Sequence, residues 1–170
     1  MTDQSRFRRR QSGGCTKRNL KIISGGQTGV DRAALDVALK QGIECGGWCP
    51  AGRLDELGKI PERYPLKELK QGSFADRTMQ NVRDSDGTVV IYCDELRGGT
   101  KFTVQCCEQL DRPHIVIDGR EKPADEAGAV IADFVRKQKV SIMNVAGPRQ
   151  SEWPDGYHYA FRALEIFSEL

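Results

Sequence analysis

Four short apolar runs constrain this chain most: Lys21-Ile22-Ile23, Thr88-Val89-Val90-Ile91-Tyr92, His114-Ile115-Val116-Ile117 and Val140-Ser141-Ile142-Met143-Asn144-Val145. Their apolar residues are mostly consecutive rather than alternating, and many are β-branched, so they read as strands buried on both faces. Between them lie segments of helical period. Residues 32–41 carry Ala34, Leu35, Val37, Ala38 and Leu39, and residues 74–83 carry Phe74, Met79 and Val82. Residues 102–110 and 127–135 complete the set, and a last helix is expected over 159–169. Strands alternating with helices predict an α/β domain around a central, mostly parallel sheet with right-handed crossovers.

The stretch 43–69 is less regular. Ile43-Glu44-Cys45-Gly46-Gly47-Trp48-Cys49-Pro50 reads as a short strand ending in a turn, and residues 64–69 as a further strand. A long irregular segment inside a compact domain is usually functional or hides an element. Here Trp48, Arg53, Asp55, Glu56, Lys59 and Arg63 favour a functional role.

A chain of 170 residues can bury a core without staples. One ligand-binding domain over residues 20–170 is expected, preceded by a disordered basic tail over 1–19. That tail crowds Arg6, Arg8, Arg9, Arg10, Lys17 and Arg18 among Gln, Ser and Gly. A formal net charge of +2 gives no reason to invoke nucleic acid. No apolar stretch reaches the ~18 residues of a membrane helix, and no signal peptide is expected. Six irregularly spaced cysteines do not make a secreted disulfide framework, so a cytoplasmic protein with reduced thiols is expected. Cys45 and Cys49 lack a second ligand pair, and His114 and His158 are the only histidines, so no metal site is expected.

Four loop motifs follow strand segments, where ligands bind in open parallel sheets. The first is Gly25-Gly26-Gln27-Thr28-Gly29-Val30-Asp31-Arg32, a strand-to-helix break whose free amides and helix dipole suit an anion. The second is Gly46-Gly47-Trp48-Cys49-Pro50-Ala51-Gly52-Arg53. The third, ending in Gly98-Gly99-Thr100, opens a helix and lets backbone approach a phosphate. The fourth is Ala146-Gly147-Pro148-Arg149-Gln150-Ser151-Glu152, where Arg149 can clamp an oxyanion. Singly, each has a plain alternative: a tight turn for the glycines, a core or lid role for Trp48, a surface pair for Arg149. Together they favour a phosphate-bearing, nucleotide-like small molecule. The spacing matches neither the P-loop nor the G-x-G-x-x-G fingerprint. Cys49, in a site loop, is the one thiol expected to merit a reactivity test, while Cys106 and Cys107 read as helix-buried filler.

The run Ile22-Ile23-Ser24-Gly25-Gly26-Gln27-Thr28-Gly29-Val30-Asp31-Arg32-Ala33-Ala34-Leu35-Asp36, with Gly47-Trp48-Cys49-Pro50-Ala51-Gly52-Arg53, resembles the molybdenum-cofactor carrier protein family. Asn81, Ser85-Asp86-Gly87-Thr88, Gly98-Gly99-Thr100, Asn144-Val145-Ala146-Gly147-Pro148-Arg149 and Ser151-Glu152 extend the match in order to the C-terminus. This family is circularly permuted YpsA-like. It is grouped with the Lonely Guy phosphoribohydrolases and DNA-processing protein A in a Rossmann-like superfamily. The resemblance implies a three-layer Rossmann-like fold, a homo-oligomer (dimer or tetramer), and molybdenum cofactor or a nucleotide-like phosphate ligand at the glycine loops. Carrier activity is not implied for every member.

The binding residues expected are Gly25, Gly26, Gln27, Thr28, Gly29, Asp31, Arg32, Trp48, Arg53, Gly98, Gly99, Thr100, Gly147, Arg149, Ser151 and Glu152. A carrier binding without turnover is the first reading, with Trp48 flanking the ring. A nucleoside monophosphate phosphoribohydrolase is the second, with Asp31 and then Glu152 as candidate acids. The related hydrolases carry a glutamate soon after the glycine turn, whereas Gly98-Gly99-Thr100 meets no acid before Glu108, which counts against that reaction. Asp31 has a plain alternative role in complementing the helix dipole. A nucleotide-sensing regulatory module is the third reading.

Overall fold

A computed structural model describes residues 19–170; the basic tail and Cys15 lie outside the described residues. Nine strands and five α-helices follow in the order β1 (Lys21–Ile23), α1 (Val30–Gln41), β2 (Glu44–Gly46), β3 (Trp48–Cys49), β4 (Leu54–Asp55), β5 (Gly58–Lys59), β6 (Lys67–Glu68), α2 (Phe74–Arg83), β7 (Gly87–Tyr92), α3 (Gly98–Gln109), β8 (His114–Asp118), α4 (Ala124–Gln138), β9 (Ile142–Ala146) and α5 (Gly156–Glu169). Five strands form the central sheet in the order β2-β1-β9-β7-β8, every pair parallel. The fold is α/β and Rossmann-like.

Apolar burial on both sheet faces explains the layers. Ile22, Val89, Ile91, Met143 and Val145 pack with α1, α4 and α5 in one core. On the opposite side, Val82 of α2 meets Cys106 and Cys107 of α3. Both thiols are pushed up by burial, as befits small apolar filler. The order of the strands makes the site: β1 leads outward to β2, β7 leads outward to β8, and β9 returns between them. The helices after β1 and β7 therefore diverge, and a crevice opens at the carboxyl ends of β1, β9 and β7.

Two segments differ from the sequence expectation. The run at 114–117 is an edge strand, with no further strand paired to it among the described residues, and Val116 remains 42% exposed. Within residues 43–69 the chain is structured throughout much of its length. β3 pairs with β6 in parallel and β4 with β5 as a hairpin, over a small core of Leu35, Cys49, Ile60, Tyr64 and Leu66. Among the described residues no helix is long and apolar enough to cross a membrane.

Candidate functional site

The crevice is a half-open cleft of about 220 Å³. Its first wall is α2. Ser73 and Asp76 form a capping box, Ser73 N donating to Asp76 Oδ2 at 2.7 Å, which fixes where the helix begins. Helical spacing then places Phe74, Arg77, Thr78 and Asn81 on one face, and all four line the cleft. The facing wall is the start of α3, with Gly99, Thr100 and Thr103. Asn144 and Ala146 of β9 contribute at the sheet, Asp31 comes from the first turn of α1, and Gly25, Gln27, Gly147, Arg149 and Glu152 come from the loops.

Asp31 and Arg77 are the central ion pair. Arg77 Nη1 donates to Asp31 Oδ2 at 2.9 Å, and both side chains are nearly buried. Burial pushes the Asp31 carboxyl above its ordinary range, against the Arg77 charge and the Gln27 and Gly147 amides. Gly25 makes the pair possible. A Cβ there would stand 1.2 Å from Arg77 Nη1, so the guanidinium occupies the space a side chain would take. Arg77 Nε is buried without a hydrogen-bond partner among the described residues.

The β1–α1 loop spends much of its hydrogen-bonding capacity on itself. Gly26 N donates to Ser24 Oγ, Gln27 N to Asp31 Oδ2, Thr28 N to Gln27 Oε1 and Val30 N to Pro148 O. Four of the amides expected to cradle an anion, those of Gly26, Gln27, Thr28 and Val30, are thus committed to internal acceptors, with Asp31 among them. The β7–α3 loop is different. Neither α1 at Gly29 nor α3 at Arg97 has a side-chain cap among the described residues, but a Cβ on Gly25, Gly26 or Gly29 would run into protein within 2.5 Å, whereas one on Gly99 would meet nothing within 4 Å. Gly99 and Thr100 at this helix start line the cleft, and the first amides of a helix lack intrahelical acceptors.

Glu56, at the tip of the β4–β5 hairpin, ties two of the loops together. Its carboxylate accepts from the Thr28 and Ser151 hydroxyls and from Ser151 N at 3.1 Å. Partial burial would raise this carboxyl, but the Ser151 and Thr28 hydrogen bonds outweigh it and hold it below the ordinary range. Thr28 and Ser151 are therefore clasped by Glu56 rather than lining the cleft.

Three other expected residues lie outside the cleft lining. Arg32 donates to Asp55 Oδ2 at 2.7 Å and to Gly26 O at 3.0 Å. Arg53 spans the irregular segment, donating to the carbonyls of Pro61, Tyr64 and Leu66 at 3.0–3.2 Å. Trp48 sends its indole N–H to Asp84 at 2.7 Å, with Lys67 over the ring. Gly26, Gly29 and Gly98 shape the loops without lining the cleft. Cys49 is fully buried and burial pushes its thiol up, which removes the basis for treating it as a reactive thiol.

Phe74, Arg77, Thr78, Thr103 and Asn144 were missing from the sequence expectation. The capping box Ser73-Phe74-Ala75-Asp76 and the polar positions that follow at helical spacing were the legible signal for the α2 residues. Among the described residues no cluster of three His, Cys, Asp or Glu could hold a metal ion.

A protein-family model matches residues 22–167, nearly the whole described chain. The chain belongs to the circularly permutated YpsA SLOG family. Similarity to a solved structure agrees with this membership: a protein from Syntrophus aciditrophicus SB, provisionally named a molybdenum carrier protein, is 42% identical. The alignment covers 91% of this chain and 99% of that one, with a TM-score of 0.86. No curated protein matches the sequence. In this YpsA-type SLOG chain the cleft sits where the strand order reverses, with the start of α3 as its open wall.

Proposed function

We propose that this chain is a carrier that binds a phosphate-bearing pterin, molybdenum cofactor foremost, or a nucleotide-like equivalent, in the cleft between α2 and α3. The observation that carries this reading is the start of α3. It offers uncapped amides beside Gly99, whose absent side chain leaves open space at the cleft wall. The charged side chains of the cleft compensate one another. Asp31 pairs with Arg77, and Arg149 Nε lies 3.7 Å from Glu152 Oε2. Oriented amides, rather than a surplus of cations, are thus the source of affinity for a phosphate. The cleft volume of about 220 Å³ is below the roughly 300–1,000 Å³ of drug-sized sites, which suits one phosphate and an adjoining ring.

Binding without turnover is favoured by the state of Asp31. Its Oδ2 is shared by Arg77 and Gln27 N, so this acid is committed to holding the site together. The similarity to a protein named as a molybdenum carrier supports the choice of cargo. The cargo would bring its own metal ligands, since the side chains of the described residues supply no cluster for a bare ion. Phosphoribohydrolase action is the second reading, because Glu152 lines the cleft and is one-third exposed. A cytoplasmic homo-oligomer of one ligand-binding domain over residues 20–170 completes the proposal.

Calorimetric titration with a pterin monophosphate, molybdate and nucleoside monophosphates tests it, with base release assayed in the same samples. Saturable binding of a phosphate-bearing ring without base release is expected. Release of free base that is lost in Glu152→Gln would replace the carrier by the hydrolase.

A further inference from the structure

Asn144 stands apart from the other polar groups of the cleft. It sits within β9, opposite Ile23 on one side and Thr88 on the other, so it lies deeper than the loops that leave the strand ends. It is 2% exposed and yet lines the cleft. A buried carboxamide ordinarily fills its hydrogen-bonding capacity, because an unmatched amide in the interior is costly. Here its one hydrogen bond among the described residues runs from Nδ2 to Thr88 Oγ1 at 3.3 Å. Oδ1 and the second Nδ2 hydrogen remain.

Its neighbours are already occupied. Asn81 exchanges two hydrogen bonds with the backbone of Trp48, accepting at 2.8 Å and donating at 2.9 Å. Thr103 Oγ1 donates to Gly99 O at 3.0 Å. Asp31 is taken by Arg77. The deep end of the cleft therefore holds one amide with an unmet acceptor, while amides suited to a phosphate lie at the start of α3 and Arg149 is half-exposed at the rim.

We propose that Asn144 reads the edge of the ligand's ring, with the ring inward and the phosphate outward. Oδ1 accepts from a ring N–H, and Nδ2 donates to the adjoining carbonyl or ring nitrogen. The ligand class is a heteroaromatic base presenting a donor beside an acceptor, as the lactam edge of a pterin or guanine does. This inference rests on the reading of the cleft as a phosphate-and-ring site. It adds the determinant that selects the ring.

The test compares guanosine monophosphate, adenosine monophosphate and ribose 5-phosphate on the wild-type protein, Asn144→Leu and Asn144→Asp by calorimetry. Asn144→Leu is expected to weaken guanosine monophosphate about tenfold while ribose 5-phosphate stays within about twofold. Asn144→Asp, which can only accept, is expected to keep guanosine monophosphate, whose ring offers two adjacent donors, and to lose adenosine monophosphate. Equal weakening of ribose 5-phosphate and guanosine monophosphate in Asn144→Leu, or weakening of neither, overturns the role of Asn144. Failure of all three ligands and of a pterin monophosphate to bind the wild-type protein overturns the reading of the cleft, and this inference with it.

Discussion

The two glycine-rich turns that open α1 and α3 look alike in sequence and are used in opposite ways. The turn before α1 is closed. Gly25 makes room for Arg77, and the amides of Gly26, Gln27, Thr28 and Val30 are committed within the protein. The turn before α3 is open, with nothing among the described residues within 4 Å of the Cβ position of Gly99. A glycine before a helix thus has two physical meanings. It admits another part of the protein, or it leaves room for something that is not protein.

The largest expected effect breaks the closed turn. Arg77→Met leaves the Asp31 carboxylate buried without its partner, at a cost of about 3 kcal/mol at neutral pH. The sign with pH follows from Asp31, whose carboxyl is already raised and rises further without Arg77. A group raised in the folded state is fully tolerated below its unfolded value of roughly 3.9 and costs stability as pH climbs through the folded value. Denaturant unfolding should therefore show the loss of stability in Arg77→Met growing from pH 4 to pH 7. A loss independent of pH would show that packing, not charge, holds the turn.

A middle-sized effect concerns the clasp between the closed turn and the loop after β9. Glu56→Gln removes a carboxylate accepting from Thr28 and Ser151 and should lower Tm by about 2–4 °C near neutrality. The Glu56 carboxyl is held below its ordinary range, so its contribution is present above the unfolded value and fades as pH falls through the folded one. Melting curves of the two proteins should accordingly converge in acid; parallel curves at every pH would deny Glu56 this role.

The smallest effect on stability belongs to the open turn. Gly99→Ala meets no protein atom and replaces glycine near a helix start, so stability should hold or gain up to about 1 kcal/mol. Affinity for a phosphate-bearing ligand should nonetheless fall. Gly25→Ala should do the reverse at the level of the fold, displacing Arg77 and destabilising the protein. If the two variants behave alike, the distinction between the turns fails.

Much of this fold is legible in the sequence. The β-branched runs at 21–23 and 88–92 fall in strands of the central sheet, the run at 140–145 overlaps the strand Ile142–Ala146, and residues 74–83 are a helix. The clustering of glycine loops at strand ends was also readable, as the family resemblance reinforced. What sequence could not give is which amides are spent. That depends on partners far along the chain: Arg77 meets Asp31 across 46 residues, and Ser151 meets Glu56 across 95. Arg53 and Trp48 carried plausible ligand chemistry, yet the carbonyls of residues 60–66 and the Asp84 carboxylate take up their donors. Asn144 did leave a trace, as a polar residue inside the apolar run Ile142-Met143-Asn144-Val145. Its meaning emerged only when the register set it beside Thr88 and the cleft.

Amide-resolved NMR during titration with guanosine monophosphate tests the contrast between the turns most directly. The account predicts that the Gly98, Gly99 and Thr100 amides shift with saturation while those of Gly26, Gln27 and Thr28 move little. Large shifts at Gly26 to Thr28 with a silent α3 start would contradict it.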